Sequence, residues 1–392
     1  MSQNDPKLTT KIDYTLIFVV FLLGLTSLIA ISQAPDPDGN LTITSVIQKQ
    51  ILWYVVGSVV CVVVFIFDYD KLQNLAWFVY GFVLLLLVSL IAFKLGIPVP
   101  FAHESNGAYS WFQLPGIGTI QPAEFMKVAL IIALGQIIYR HRDTYDHPSG
   151  KQDLLLVGKI FITAFPPFAL VLIQPDLGTA LILFAITFFL IFVSGIRWRW
   201  LLMMITLVIL GVALFFYLFF NHPDILNTIL EKHQLNRFSA WLNPNEYSNN
   251  IGYQLLHSLT SIGSGQLYGR GIESTSVILP FGHTDFIFAV IAGHFGFFGA
   301  SVVISLLFML IYRIVNAALA THDPFGTYIC TGIIGMLTFT IFENIGMTLQ
   351  VMPITGIPLP FLSYGGSALL NNMIAIGLVL SIEARSRRYM FD

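Results

Sequence analysis

The sequence predicts an all-α, polytopic integral membrane protein with about ten transmembrane helices, and three observations predict it. Of the 392 residues, 56% are hydrophobic and only 10% are charged, against ~25% charged in an average soluble domain. Apolar runs of roughly 17–25 residues recur along almost the whole chain, and each is long enough to cross a hydrocarbon core of ~30 Å as a helix. Only helices or closed barrels satisfy every backbone group in lipid, and runs this long rule out barrel strands.

Spans are expected at about 14–32, 51–67, 75–96, 122–139, 154–173, 177–194, 200–220, 284–312, 327–350 and 366–384, in a single membrane domain covering 1–392. The first run follows Lys7 and Lys11, is too long for a signal-peptide core and lacks a small-residue cleavage site, so it reads as an uncleaved span. Ten spans put both termini on one side. With that side cytoplasmic, 13 of the 19 Lys and Arg residues lie inside, Arg385, Arg387 and Arg388 among them, as the positive-inside rule requires. The segments rich in Gly, Pro and hydrogen-bonding residues then face outward: 106–122, 174–179, a long loop over 221–283, and 352–367. A loop of some 60 residues is well beyond an ordinary connection and is more often functional than a spacer.

Cys61 and Cys330 sit within apolar runs and read as packing residues, with no disulfide implied. Nine histidines show no zinc-ligand spacing, and the Gly-rich 262–271 stretch matches no phosphate loop. No internal repeat stands out, which counts against an inverted-repeat transporter. No nucleic-acid partner is expected.

Three constellations could carry chemistry. Glu124 and Lys127, at the outer start of the fourth span, share a helix face at i, i+3. Ionisable groups at membrane depth usually line a polar cavity, although a self-neutralising ion pair explains them equally well. Asp285 leads the eighth span in His283-Thr284-Asp285. There it reads either as a helix cap or as a carboxylate held at the membrane surface as a general base, and the bare sequence favours the cap. The 352–367 segment holds too many Pro and Gly residues for a helix and is too apolar for a solvated loop, so it should pack back among the helix ends. It offers backbone donors and the Ser363, Tyr364 and Ser367 hydroxyls to a ligand, or serves only as a rigid connector. Glu343 and Asn344 precede it at the outer end of the ninth span, and Asp176 reads as the cap of the sixth.

Taken in order, these segments resemble the SEDS family of bacterial membrane glycosyltransferases, the group that includes RodA and FtsW. The resemblance runs from about 106 to 381. It rests on Asn106-Gly107-Ala108 with Trp111, Gln121-Pro122-Ala123-Glu124 with Lys127, 174–180, Gly252-Tyr253-Gln254, Ile262-Gly263-Ser264-Gly265, His283 to Ala289 and 353–367. Asn344-Ile345-Gly346-Met347 and 355–361 look more like the elongation branch, RodA, than the division branch, FtsW.

The resemblance implies a peptidoglycan glycosyltransferase that polymerises lipid II into β-1,4 glycan strands, with inversion, on the outer face of the bacterial cytoplasmic membrane. It implies Asp285 as the essential carboxylate and Glu124 with Lys127 at the cavity. Lys127, Arg237 and Arg270 are the outer cations that could steady the leaving pyrophosphate, Lys127 first. A divalent cation, magnesium or manganese, could share that role, and no other cofactor is implied. His283, Thr284, Asn344, Ser363, Tyr364 and Ser367 are the expected substrate-binding neighbours. A class B penicillin-binding protein and other elongation-complex membrane proteins are the implied partners. The alternatives are a lipid-linked precursor transporter without chemistry, a division-type polymerase, or a scaffold. Departures from the family pattern are Tyr109-Ser110 before Trp111, Phe281, and Gly293-His294 where acidic residues are common.

Overall fold

The computed structural model describes residues 12–34, 43–105, 108–115, 118–145, 149–229, 232–247, 251–271 and 279–386. Asn106 and Gly107 of the first motif, and the basic residues Lys7, Lys11, Arg387 and Arg388, lie outside them. The long helices are α1 (Tyr14–Ser32), α2 (Ile43–Ile66), α3 (Tyr69–Lys94), α4 (Pro122–Thr144), α5 (Gly150–Ile173), α6 (Leu177–Val193), α7 (Trp198–Asn221), α11 (Ile287–Ala320), α12 (Pro324–Thr348) and α13 (Gly366–Ser386). Among the described residues nine are long and apolar enough to cross a membrane. The tenth, α6, has 17 residues, which still gives it a length of ~26 Å. The chain is a multi-pass membrane protein.

The start of α1 and the end of α13 lie at one end of the bundle. Asp13, which caps α1, accepts from Arg313 at 2.7 Å, and Arg313 also reaches Glu383 near the end of α13 at 4.0 Å. A helix N-terminus favours that carboxylate, so one ion cluster clasps three spans. Asp153 on α5 does the same for α4 and the start of α7, pairing with Arg142 and Arg197.

Burial is uneven, because lipid rather than water covers the outer helices. α4 is almost wholly enclosed, whereas α7 buries only Leu201. Exposed Phe, Leu, Ile and Val side chains on α2, α3 and α7 are therefore the lipid-facing surface of the bundle rather than a folding defect.

Three features differ from the sequence expectation. Residues 102–120 form a small antiparallel sheet, with β1 (Ala102–Ser105), β2 (Ala108–Leu114) and β3 (Gly118–Ile120) in that order. The stretch expected as a long loop contains α8 (Pro223–Ile229), α9 (Lys232–Leu242) and α10 (Ile251–Gly265). α11 runs on past 312 to Ala320 and breaks at Gly296, whose φ of 65° and ψ of −161° are not helical.

The break is filled by another part of the chain. Phe297 and Phe298 N–H groups donate to the carbonyls of Gln266 and Leu267, and the Gly293 and His294 carbonyls accept from Arg270 and Gly271. In lipid such freed backbone groups must find partners, and the chain after α10 supplies them. Close approach requires glycine here: a Cβ on Gly269, where φ is +84°, would lie 2.0 Å from the His294 carbonyl oxygen. Gly269→Ala is expected to destabilise this junction by about 1–3 kcal/mol or more, read as a lowered melting temperature of the purified protein; an unchanged melt would show that the two segments are not held together this way.

Candidate active site

The non-helical 352–365 segment packs inside the bundle, as its composition requires. Its carbonyls are taken up by polar side chains from the first two spans. Ser27 donates to Leu362, Gln50 to Ser363 and Tyr54 to Phe361. Sequence reasoning missed these three, although a glutamine inside an apolar span is itself a signal of a polar contact.

Ser363 joins this segment to the turn before α11. Its hydroxyl donates to the Thr284 carbonyl at 2.6 Å and accepts from the Leu359 N–H at 2.7 Å. Tyr364 N–H donates to the His283 carbonyl at 2.8 Å, and the two rings are 6.0 Å apart. Asn344 on α12 divides its amide between the carbonyls of Asp285 and Ile357, both at 2.7 Å. The backbone that carries Asp285 is thus fixed from α12 and from the 352–365 segment together.

The Asp285 side chain is not spent on that framework. α11 is capped by Phe286 and receives no side-chain cap, so the helix-cap reading fails. Asp285 Oδ2 lies 3.3 Å from where a Cβ on Gly356 would stand, and Gly356 holds a φ of +77° that favours glycine. On the same stretch Arg237, from α9, donates to the Thr355 carbonyl at 2.9 Å. Burial pushes the Asp285 carboxyl up to about 7, opposed by the Arg237 guanidinium and reinforced by the Asp176 carboxylate.

Glu124 and Lys127 form their expected pair on α4 at 2.6 Å, both almost fully buried. Ser367 ties the start of α4 to α13, accepting from the Gln121 N–H at 3.1 Å. Arg270 is placed elsewhere: it donates to the Gly293 carbonyl and to Ser261, roughly two turns along α11 from Asp285. Any side chain at 293 would meet Arg270 Nη2 at 2.6 Å and Ser261 Oγ at 2.4 Å. Arg270 and Ser261 thus leave no room for a side chain at 293. Among the described residues no group of three or more His, Cys, Asp or Glu side chains forms a metal site.

These apolar helices enclose a buried ion pair on α4 and leave the Asp285 carboxylate, just before α11, outside the helix cap. The chain belongs to the family of FtsW, RodA and SpoVE, described as cell cycle proteins, whose model matches residues 11–388. Among its relatives is the peptidoglycan glycosyltransferase MrdB of Escherichia coli, 31% identical over 99% of this chain and 98% of that one. The probable peptidoglycan glycosyltransferase FtsW of Lactococcus lactis is 30% identical over 96% of this chain and 93% of its own. The solved rod shape determining protein RodA of Thermus thermophilus matches with a TM-score of 0.66 at 28% identity, covering 97% of this chain and 99% of that one. A chain from work on the structural coordination of polymerization and crosslinking by a peptidoglycan synthase complex matches with a TM-score of 0.76 at 29% identity, covering 95% and 97%.

Proposed function

We propose that this chain polymerises lipid II into glycan strands at the outer face of the membrane, with Asp285 as the general base. The observation that carries this reading is the Asp285 carboxylate, which does not cap α11 and lies against Gly356, with Arg237 bound to the neighbouring Thr355 carbonyl. Asp285 accepts the proton of the acceptor sugar's 4-hydroxyl as that oxygen attacks the anomeric carbon of the donor. The bond from that carbon to the lipid pyrophosphate breaks on the opposite face, so an α-linkage becomes a β-1,4 linkage. The departing pyrophosphate takes the bonding electron pair, and a preorganised cation facing it stabilises the developing charge. Arg237 fits that task because it lies on the backbone beside Asp285, whereas Lys127 is paired with Glu124.

The RodA-like residues 344–347 and 355–361 support an elongation role. The likeness to a chain of a peptidoglycan synthase complex supports a class B penicillin-binding protein as partner, with other elongation-complex membrane proteins around it. The charge distribution supports the outward placing of the site.

A base must be ionised to accept a proton, so the rate should rise with pH through about 7, where burial sets Asp285, and not through the ordinary carboxylate range near 4. A pH–rate profile of the purified protein with lipid II checks this. A rate already at its plateau at pH 5 would show that burial does not raise the Asp285 carboxyl in this way, whereas wild-type polymerisation by Asp285→Asn would remove it from the role of base.

A further inference from the structure

Asp176 does more than cap α6. One oxygen accepts from the Thr179 N–H at 2.9 Å, while the other accepts from the Thr179 hydroxyl at 2.8 Å and from Gln121 Nε2 at 2.7 Å. Gln121 is the N-cap of α4, the helix of Glu124 and Lys127, and its own N–H is held by Ser367 of α13. Two residues past Asp176, Gly178 is pressed against the 355–357 segment; a Cβ there would lie 2.6 Å from Ile357 and 3.3 Å from the Thr355 carbonyl oxygen. That carbonyl is the one Arg237 binds, and Gly356 is the residue beside the Asp285 carboxylate. The start of α6, Arg237 and Asp285 therefore surround one short piece of backbone.

A cap alone needs one hydrogen bond from a residue such as Ser, Thr or Asn. A carboxylate here brings a charge besides, and that charge opposes the larger effect of Arg237 on Asp285. We propose that Asp176 is a positioning residue for the transfer reaction, locking the starts of α4 and α6 around the 355–357 segment and setting its negative charge against Arg237 so that Asp285 remains a strong enough base. The inference rests on the reading of Asp285 as the base. It deepens that reading by giving the site a second carboxylate with a different task.

The groups that face Asp285 from the elements around it are Arg237 on α9, Asp176 at the start of α6 and the uncharged Asn344 on α12. The 354–357 segment carries no titratable side chain. Glu343 on α12, His283 in the turn before Asp285 and the Glu124–Lys127 pair on α4 are the remaining titratable groups of those elements close by in sequence or structure. With Asp176 neutralised, Arg237 acts on Asp285 unopposed. The acid limb of the rate profile should then move to lower pH, because a less repelled carboxyl gives up its proton more readily.

The experiment is the pH–rate profile of the full-length purified protein polymerising labelled lipid II, for the wild type and for Asp176→Asn, Asp176→Ser and Asp176→Glu. Asn and Ser both cap helices well, so either can report if the other fails to fold. The neutral variants should shift the acid limb to lower pH, with a severalfold lower plateau from the weaker base. Asp176→Glu should leave the limb near its wild-type position. Loss of activity at every pH with an unmoved limb, in either neutral variant, would reduce Asp176 to a structural cap and overturn the proposal while leaving Asp285 as the base. Unimpaired polymerisation by Asp285→Asn would instead overturn the reading of Asp285, and this proposal with it.

Discussion

Asp285→Asn is expected to lower glycan polymerisation by about 10²–10⁴-fold, the range that a positioned general base contributes. The change is nearly isosteric, and the Asp285 contacts that hold the turn are made by its backbone carbonyl to Asn344 and not by its side chain. Folding and substrate binding should therefore survive. A melting temperature within a degree or two of the wild type, together with retained binding of labelled lipid II, would assign the loss to chemistry. An Asp285→Asn protein that polymerises at the wild-type rate would remove the base from the mechanism, whatever its structure.

Separating Glu124 from Lys127 should have the largest effect on stability. The two lie at 2.6 Å with side chains 6% and 5% exposed, and stripping one member from a buried pair leaves the other charge without compensation. Such losses run to about 3–5 kcal/mol. Lys127→Met and Glu124→Gln should each lower the melting temperature markedly, whereas the double variant should recover much of the loss, because no lone charge remains. Activity distinguishes the two readings that the sequence left open. If the pair only neutralises itself, the double variant polymerises normally; if it shapes the cavity for the pyrophosphate sugar, the recovered fold stays inactive. The second outcome is the one expected.

The membrane spans were legible because lipid imposes a length and a composition on each helix. Their ends were less so: Arg313 looked like the inner boundary of its span, but its guanidinium is satisfied by Asp13 and Glu383, and α11 continues to Ala320. The break at Gly296 could not be seen, since the partners of the freed backbone groups come from residues 266–271, a contact that hydrophobic period does not encode. The sheet over 102–120 was missed for a related reason, as its strands are short and pair only with each other.

In the site, the Glu124–Lys127 pair followed from its spacing on α4, whereas Asp285, which the bare sequence favoured as a cap, does not cap α11. Arg237 stood out only as one of several outer cations until α9 brought it to Thr355. Arg270 carried the same weight in the sequence and lies instead against Gly293 and Ser261. Asp176 was explained too easily. A capping residue satisfies its local sequence completely, so nothing there pointed to Gln121, which is 55 positions away.

The most direct test is to supply labelled lipid II to the purified chain, with and without a class B penicillin-binding protein, and to resolve the product on a gel. A ladder of glycan strands, abolished by Asp285→Asn, is the predicted result. Binding of lipid II, or its movement across a vesicle membrane, with no glycan formed in either condition would contradict the account and identify the region around Asp285 as a transport site.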